Sequence, residues 1–220
     1  MLFIERLFTD PLTFSSTILV VLLSITIHEL AHGYAAISQG DDTPKELQHL
    51  TLNPVTHMGW SGVIFLILFG ISWGQMPVNP SKFKNGKLSN IIVSAAGPLS
   101  NIVLCVVFSS LIFLASKENW LIENRMNENL IFVFYIGAIL NFILCFFNLL
   151  PIPPLDGFHI FQEIFPPLRS LNNISYLPLV CLLIIFNIPG LWEQLRNQAN
   201  KFIEFIVNNL NIFFSQSHIY

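Results

Sequence analysis

The sequence predicts an all-α polytopic membrane protein. The expected form is a bundle of transmembrane helices with a re-entrant or short β-like segment between the first two long ones. Three observations carry this. Hydrophobic residues fill 53% of the 220 positions and charged residues only 10%, where an average globular protein carries about 25% charged residues. The stretches 88–116 and 129–155 hold no formal charge, and between Asp10 and Asp41 the only one is Glu29; about 20 apolar residues suffice to cross a bilayer. The apolar run 60–73, between Trp60 and Trp73, is too short to span and has the length of a re-entrant or interfacial piece.

The first helix is expected over residues 12–38, started by Asp10-Pro11 and stopped by Gly40-Asp41-Asp42. It carries His28-Glu29-Leu30-Ala31-His32. Residues four apart share a helix face, so His28 and His32 can present two imidazoles to one metal. Neutral imidazole suits zinc, and a catalytic zinc needs a third protein ligand and an open position for water. Glu29 lies off that face but close enough to take a proton from such a water. An acid at membrane depth is costly and marks a functional site by default. The competing reading is a pair of polar histidines on a membrane helix with no metal.

Residues 41–59 read as a loop, because Pro44, Asn53-Pro54 and Gly59 interrupt any helix. The loop histidines His49 and His57 read as polar loop or interface residues. No charge occurs from Leu47 to Ser81, which suits backbone dipping into the membrane beside a polar cavity. Lys82, Lys84 and Lys87 follow with no acid among them, a positive-inside signal. The second long helix, 88–116, contains Ala95-Ala96-Gly97-Pro98-Leu99-Ser100-Asn101. Small residues there allow close helix approach, so the block reads mainly as packing, with Asn101 a buried amide in need of a partner.

A charged link over 117–128 leads to a helix from about 130 to 150. Its end, Asn148 to Gly157, holds three prolines in four residues, which predicts a rigid, extended segment. Asp156 is the only acid between Glu128 and Glu163. On a fixed backbone at the end of an apolar helix it is a candidate third zinc ligand; the alternative is a loop aspartate in an Asx turn. Residues 170–192 form a further uncharged run, and 193–214 an amphipathic helix.

No polar block is long enough for a second domain. One membrane-embedded domain over 1–220 is expected, with its catalytic core at about 12–160 and C-terminal helices at 170–214. Net charge is −3 without a basic cluster, so no nucleic-acid partner is expected. Cys105, Cys145 and Cys181 sit in apolar runs without CxxC spacing and read as packing residues. The first ten residues lack the pattern of a cleaved signal peptide.

Shared zinc ligation constrains the topology. If 60–73 spanned fully, Asp156 would lie across the membrane from the end of the first helix. If they re-enter, the loop 41–59, the lysine loop and Asp156 share one side. The lysines make that side cytoplasmic, leaving the N-terminus outside and the metal site nearer the cytoplasmic face.

The chain resembles the site-2 protease family, intramembrane zinc metalloproteases of the M50 type. His28-Glu29-Leu30-Ala31-His32, Gly97-Pro98-Leu99-Ser100-Asn101 and Asn148 through Gly157 carry the resemblance, in that order. Leu50-Thr51-Leu52-Asn53-Pro54, His57 and Pro77-Val78-Asn79-Pro80 look like the small bacterial branch without PDZ or CBS domains. The resemblance implies one zinc held at His28, His32 and Asp156, Glu29 as base, and a role beside the metal for Asn148. It implies an endopeptidase of the cell membrane, embedded in the lipid bilayer, that cleaves transmembrane proteins or peptides. Two departures stand out. Met58-Gly59 replace an Asp-Pro pair, and Phe158-His159 replace a small residue and Arg, which leaves His159 as a competing ligand. Two other classes fit the composition, a catalytically silent membrane scaffold and a metal-ion transporter. The first would lose a ligand or Glu29; the second would carry ionisable residues at matched depth in several helices.

Overall fold

The computed structural model describes residues 2–117 and 124–216, and among these every regular element is helical. The expected all-α membrane architecture is what the chain forms. Seven helices organise it: α1 (Pro11–Ser38), α2 (Pro54–Phe69), α3 (Lys87–Lys117), α4 (Asn124–Asn148), α5 (Asp156–Ile164), α6 (Leu177–Phe186) and α7 (Leu191–Gln216). Three of them, α1, α3 and most of α4, are long and apolar enough to cross a membrane. The bent pair α6–α7 would make a fourth if it acts as one span. Half of the expected charged link, residues 118–123, lies outside the described residues, and Asn124 already belongs to α4.

Helix α1 starts where the sequence indicates. Asp10 is its N-cap, and the Thr13 N–H donates to Asp10 Oδ1 at 3.1 Å, which satisfies a backbone donor the helix leaves free. Val21 and Ile25 of α1 pack on Met58 and Leu66 of α2. Cys105 and Phe108 of α3 pack on Ala138, Ile139 and Phe142 of α4 and on Ala199 and Ile203 of α7. Gly137 admits the Phe108 ring against the α4 backbone, where a Cβ would clash. Small residues at such crossings are how membrane helices pack closely without a hydrophobic drive between them. Ala199 and Ile203 of α7 are thereby buried.

Two sequence expectations need correction. Pro44 and Pro54 do not break helices; each stands in the first turn of one, Thr43–Glu46 and α2. A missing N–H costs nothing at a first turn. The expected loop over 41–59 is thus partly helical, with Gly59 (φ 64°) marking a kink inside α2. The segment 149–155 is also not extended. Successive backbone bonds, Leu150→Phe147, Ile152→Leu150 and Leu155→Ile152, fold it into tight turns, with a cis peptide between Pro153 and Pro154.

Residues 54–84 form a hairpin against α1. Helix α2 runs back toward the start of α1, so that Gly70 meets the Phe3 ring, itself stacked on Phe14. The chain then returns in extended form. Gly74 passes Ile25 and Glu29, and Met76 passes Gly33. Asn79 donates its N–H to Asp41 Oδ2 at 2.6 Å, and Lys84 N–H donates to Gln39 O at 2.9 Å. The hairpin leaves near the end of α1 at which it entered, as a re-entrant segment must.

Candidate metal centre

His28 and His32 stand one helical turn apart on the buried side of α1, and Asp156 is the first residue of α5. One ligand atom from each lies within 4.8 Å of the others; among the described residues no further His, Cys, Asp or Glu joins this cluster, and no second such cluster occurs. The two Nε2 atoms are 3.0 Å apart. His28 Nε2 lies 3.1 Å from Asp156 Oδ2, and His32 Nε2 3.3 Å from Asp156 Oδ1. Three atoms bound about 2.0–2.1 Å from one tetrahedral ion stand roughly 3.4 Å apart, so the spacing fits zinc.

The hydrogen bonds behind the imidazoles strengthen the case. His32 Nδ1–H donates to the Val93 carbonyl at 2.7 Å. His28 Nδ1–H donates to Asn101 Oδ1 at 2.7 Å. With both Nδ1 atoms protonated, both Nε2 atoms of the neutral rings present lone pairs. Two lone pairs and a carboxylate then converge with no donor among them. Such a buried set of acceptors calls for a cation, and the ring orientation is the one that outer hydrogen bonds impose on metal-ligating histidines.

Glycines make the approach possible. A Cβ on Gly97 would fall under 3.0 Å from Nε2 of both histidines. Gly97-Pro98 therefore does more than pack helices: it leaves the space in which the ligand atoms meet. Pro98 lies within α3, and Val93, five residues before it, accepts from His32 through its carbonyl. A Cβ on Gly157 would strike the Leu149 carbonyl. The start of α5 thus lies directly on the end of α4, which holds Asp156 at the histidines rather than in a solvent-facing Asx turn.

Glu29 is 6% exposed beside the cluster. Gly74 of the returning segment lies so close that a Cβ there would collide with Glu29 Oε1. Its neighbours Trp73 and Gln75 line a cavity of about 460 Å³ together with His49, His57 and Pro77. The exposed residues Ile71, Trp73 and Gln75 alternate with the more buried Ser72, Gly74 and Met76, the period of a β-strand.

The other expected residues are placed as follows. His57 is buried, and its Nε2–H donates to the Thr51 carbonyl at 2.7 Å. His49 Nδ1–H donates to Leu47 O at 2.9 Å. His159 Nδ1 accepts from Gln162 Nε2 at 3.1 Å. None of the three joins the cluster, so none competes as third ligand in this arrangement. Asn148 is the half-buried last residue of α4, eight positions before Asp156. Sequence reasoning missed Gly74, Ser24 and Asn141 and undervalued Asn101. A lone polar residue in an apolar helix was the available signal for the two asparagines.

Asp41 anchors the rim. Burial raises its pKa, but the N–H groups of Asn79 and Thr43 outweigh that and hold the carboxyl below its ordinary value. Lys82 also pairs with Glu46 at 3.0 Å on the surface.

A family model described as "Peptidase family M50" matches residues 115–186. Among curated proteins, "Putative zinc metalloprotease YwhC" of Bacillus subtilis is 38% identical over 200 residues, covering 87% of this chain and 91% of that protein. "Putative zinc metalloprotease Rip2" of Mycolicibacterium smegmatis is 31% identical over 192 residues, covering 79% of this chain and 70% of the relative. Rip2 of Mycobacterium tuberculosis is 28% identical over 193 residues, covering 83% and 72%. No solved structure matches the chain.

Proposed function

The chain belongs to peptidase family M50 and is a zinc metalloendopeptidase and multi-pass membrane protein, and from that premise we propose that it cleaves peptide bonds in or near transmembrane segments of other membrane proteins, in regulated intramembrane proteolysis. The observation that supports this reading is the depth of the reactive groups. His28, Glu29 and His32 are 8%, 6% and 8% exposed inside a helix long enough to span. His28 stands about 15 Å from the C-terminal end of that helix at 1.5 Å per residue. A site at that depth suits a substrate that arrives through the bilayer.

In this reading His28, His32 and Asp156 hold the zinc, Glu29 is the base and Asn148 steadies the substrate. Bound there, zinc supplies Lewis-acid polarisation of the scissile carbonyl and a more acidic water. Glu29 takes a proton from the attacking water as the C–O bond forms, then returns it to the amine as the C–N bond breaks. Gly74 keeps the returning segment against Glu29 and narrows access for bulk water. Asn148, at the end of α4 before the turn to Asp156, would offer its amide to the substrate or to the developing oxyanion.

An intact transmembrane helix hides its carbonyls in its own hydrogen bonds, so the substrate must open locally. The extended segment 70–79 supplies a place for that: a substrate strand can add along it, beside the cavity that Trp73 and Gln75 share with His57. Catalysis rests with a core over about 12–160 in a single domain spanning 1–220, with helices at 170–214 buttressing it. The lysine loop orients the site toward the cytoplasmic face of the cell membrane.

The test is cleavage of a transmembrane peptide by purified protein in liposomes. Wild type should cut within or at the edge of the apolar segment, and Glu29→Gln should bind zinc but not cut. Equal cleavage of soluble, non-membrane peptides would sink the intramembrane reading. Orientation is tested separately with single cysteines at Asp42, Asn85 and Asn124 in a cysteine-free background. An impermeant thiol reagent on intact cells should label only the third; opposite labelling of the first two would mean that the hairpin spans.

A further inference from the structure

A chain of buried amides reaches the metal cluster from behind, through residues of three helices. Ser24 of α1, Asn101 of α3 and Asn141 of α4 are each 0% exposed. Asn141 Nδ2 donates to the Gly137 carbonyl at 2.9 Å and to Ser24 Oγ at 2.8 Å. Asn101 Nδ2 donates to Asn141 Oδ1 at 3.0 Å. Asn101 Oδ1 then faces His28 Nδ1 at 2.7 Å.

The direction of this chain is set at its far end. An amide's oxygen and nitrogen are ordinarily told apart only through their partners. A backbone carbonyl can only accept, so the Asn141 atom beside Gly137 O must be the NH₂ group. That leaves Asn141 Oδ1 toward Asn101, where it can only accept. Asn101 must answer with its own NH₂ group and turn its oxygen to His28. Nδ1 of His28 must then carry the proton, and Nε2 must present its lone pair to the cluster.

We propose that Asn141 is a positioning residue of the metal centre, acting through Asn101 to hold His28 in its metal-binding tautomer. The proposal rests on His28 being a zinc ligand, as in the reading above. Without the acceptor at Asn141, the Asn101 amide is free to turn and offer N–H to His28 Nδ1. The imidazole then carries its proton on Nε2 and cannot ligate. Ser24 has the lesser part of engaging the second N–H of Asn141.

The experiment compares zinc affinity, by chelator competition, in Asn141→Leu and Asn141→Asp. Leucine removes the acceptor, whereas aspartate keeps it toward Asn101 but faces the Gly137 carbonyl with a second oxygen. A purely structural role makes the buried aspartate the more damaging change. The positioning role predicts the reverse order: zinc affinity near wild type for Asn141→Asp, and a loss of about 10-fold for Asn141→Leu, the lower end of what supporting hydrogen bonds are worth. A second comparison places Asn141→Leu in an Asn101→Asp background. Aspartate at 101 has no N–H to offer His28, so the leucine should then cost no zinc affinity. ¹⁵N shifts of metal-free protein should show His28 protonated on Nδ1 in wild type and shifted toward Nε2 in Asn141→Leu. Wild-type zinc affinity in Asn141→Leu, equal losses in both Asn141 variants, or an undiminished leucine effect in the Asn101→Asp background would each overturn the proposal. Wild-type zinc affinity in His28→Ala would instead overturn the ligand reading beneath it.

Discussion

The metal cluster and the hairpin that borders it are held in opposite ways. Behind the cluster both histidines are held from other helices: Asn101, backed by Asn141, meets one, and the Val93 backbone carbonyl meets the other. The hairpin is tied mainly through backbone groups at a few points. Asp41 takes two N–H groups, Gln75 N–H donates to the His57 carbonyl, and Ser72 Oγ donates to Gly62 O at 3.0 Å. Trp60, Ile64, Phe65, Ile71 and Trp73 face outward. Ligands must be held in place before the chemistry, which side-chain networks accomplish. In the proposed reading, a wall that admits an unfolding substrate needs few fixed points, as this segment has. Substitutions among the metal ligands and their supports should therefore act on metal, and those in the hairpin on turnover alone.

The largest expected effect tests the centre itself. Glu29→Gln is nearly isosteric and leaves the histidines and Asp156 in place, so zinc content should stay near one per chain. Losing the base costs roughly 10²–10⁴-fold in kcat. Asp156→Ala should instead lose the metal. Turnover of Glu29→Gln near wild type would remove Glu29 from the mechanism, and full zinc in Asp156→Ala would require another third ligand.

Two glycine substitutions sharpen the contrast. Gly97→Ala puts a methyl where the two Nε2 atoms converge; zinc affinity should fall at least about 10-fold, and activity with it. Gly74→Ala puts the same methyl against Glu29 from the hairpin side. A base displaced by an ångström costs up to about 10²-fold, so kcat should fall while zinc binding is unchanged. If Gly74→Ala also released zinc, the two regions would not be separable.

The same contrast explains what was legible in the sequence. The i, i+4 histidines and Glu29 are a local pattern on one helix, and Asp156 stood out as a lone acid between apolar stretches. The ends of α1 and α3 followed from charge and capping. The support was not legible: Asn141 meets Ser24 across 117 residues of chain and Asn101 across 40, and no local spacing encodes such pairings. Gly97 read as packing because its function depends on what faces it, and Gly74 carried no signal for the same reason. The prolines at 44, 54 and 151–154 misled in a uniform way. Proline forbids a helix interior but permits a first turn or a tight turn, and composition alone does not say which.

The smallest expected effect lies at the hairpin's anchor. The two N–H groups on Asp41 hold its carboxyl below the ordinary value of 3.8. A carboxylate lowered in the native state contributes stability that is fully present above its unfolded pKa and lost as pH falls through its native pKa. The clasp should therefore be unchanged from pH 8 down to about 4 and release only below that. The amide shifts of Asn79 and Thr43 should titrate together, with a midpoint below about 4, and should not titrate in Asp41→Asn. Asparagine keeps an acceptor but not the charge that makes such bonds worth about 1.5–3 kcal/mol. The variant should therefore loosen the end of the returning segment, lower turnover a few-fold at most and leave zinc content alone. A midpoint above 4 would mean that the two N–H groups do not outweigh burial at Asp41. Loss of zinc in Asp41→Asn would mean that the hairpin and the metal centre are one rigid unit.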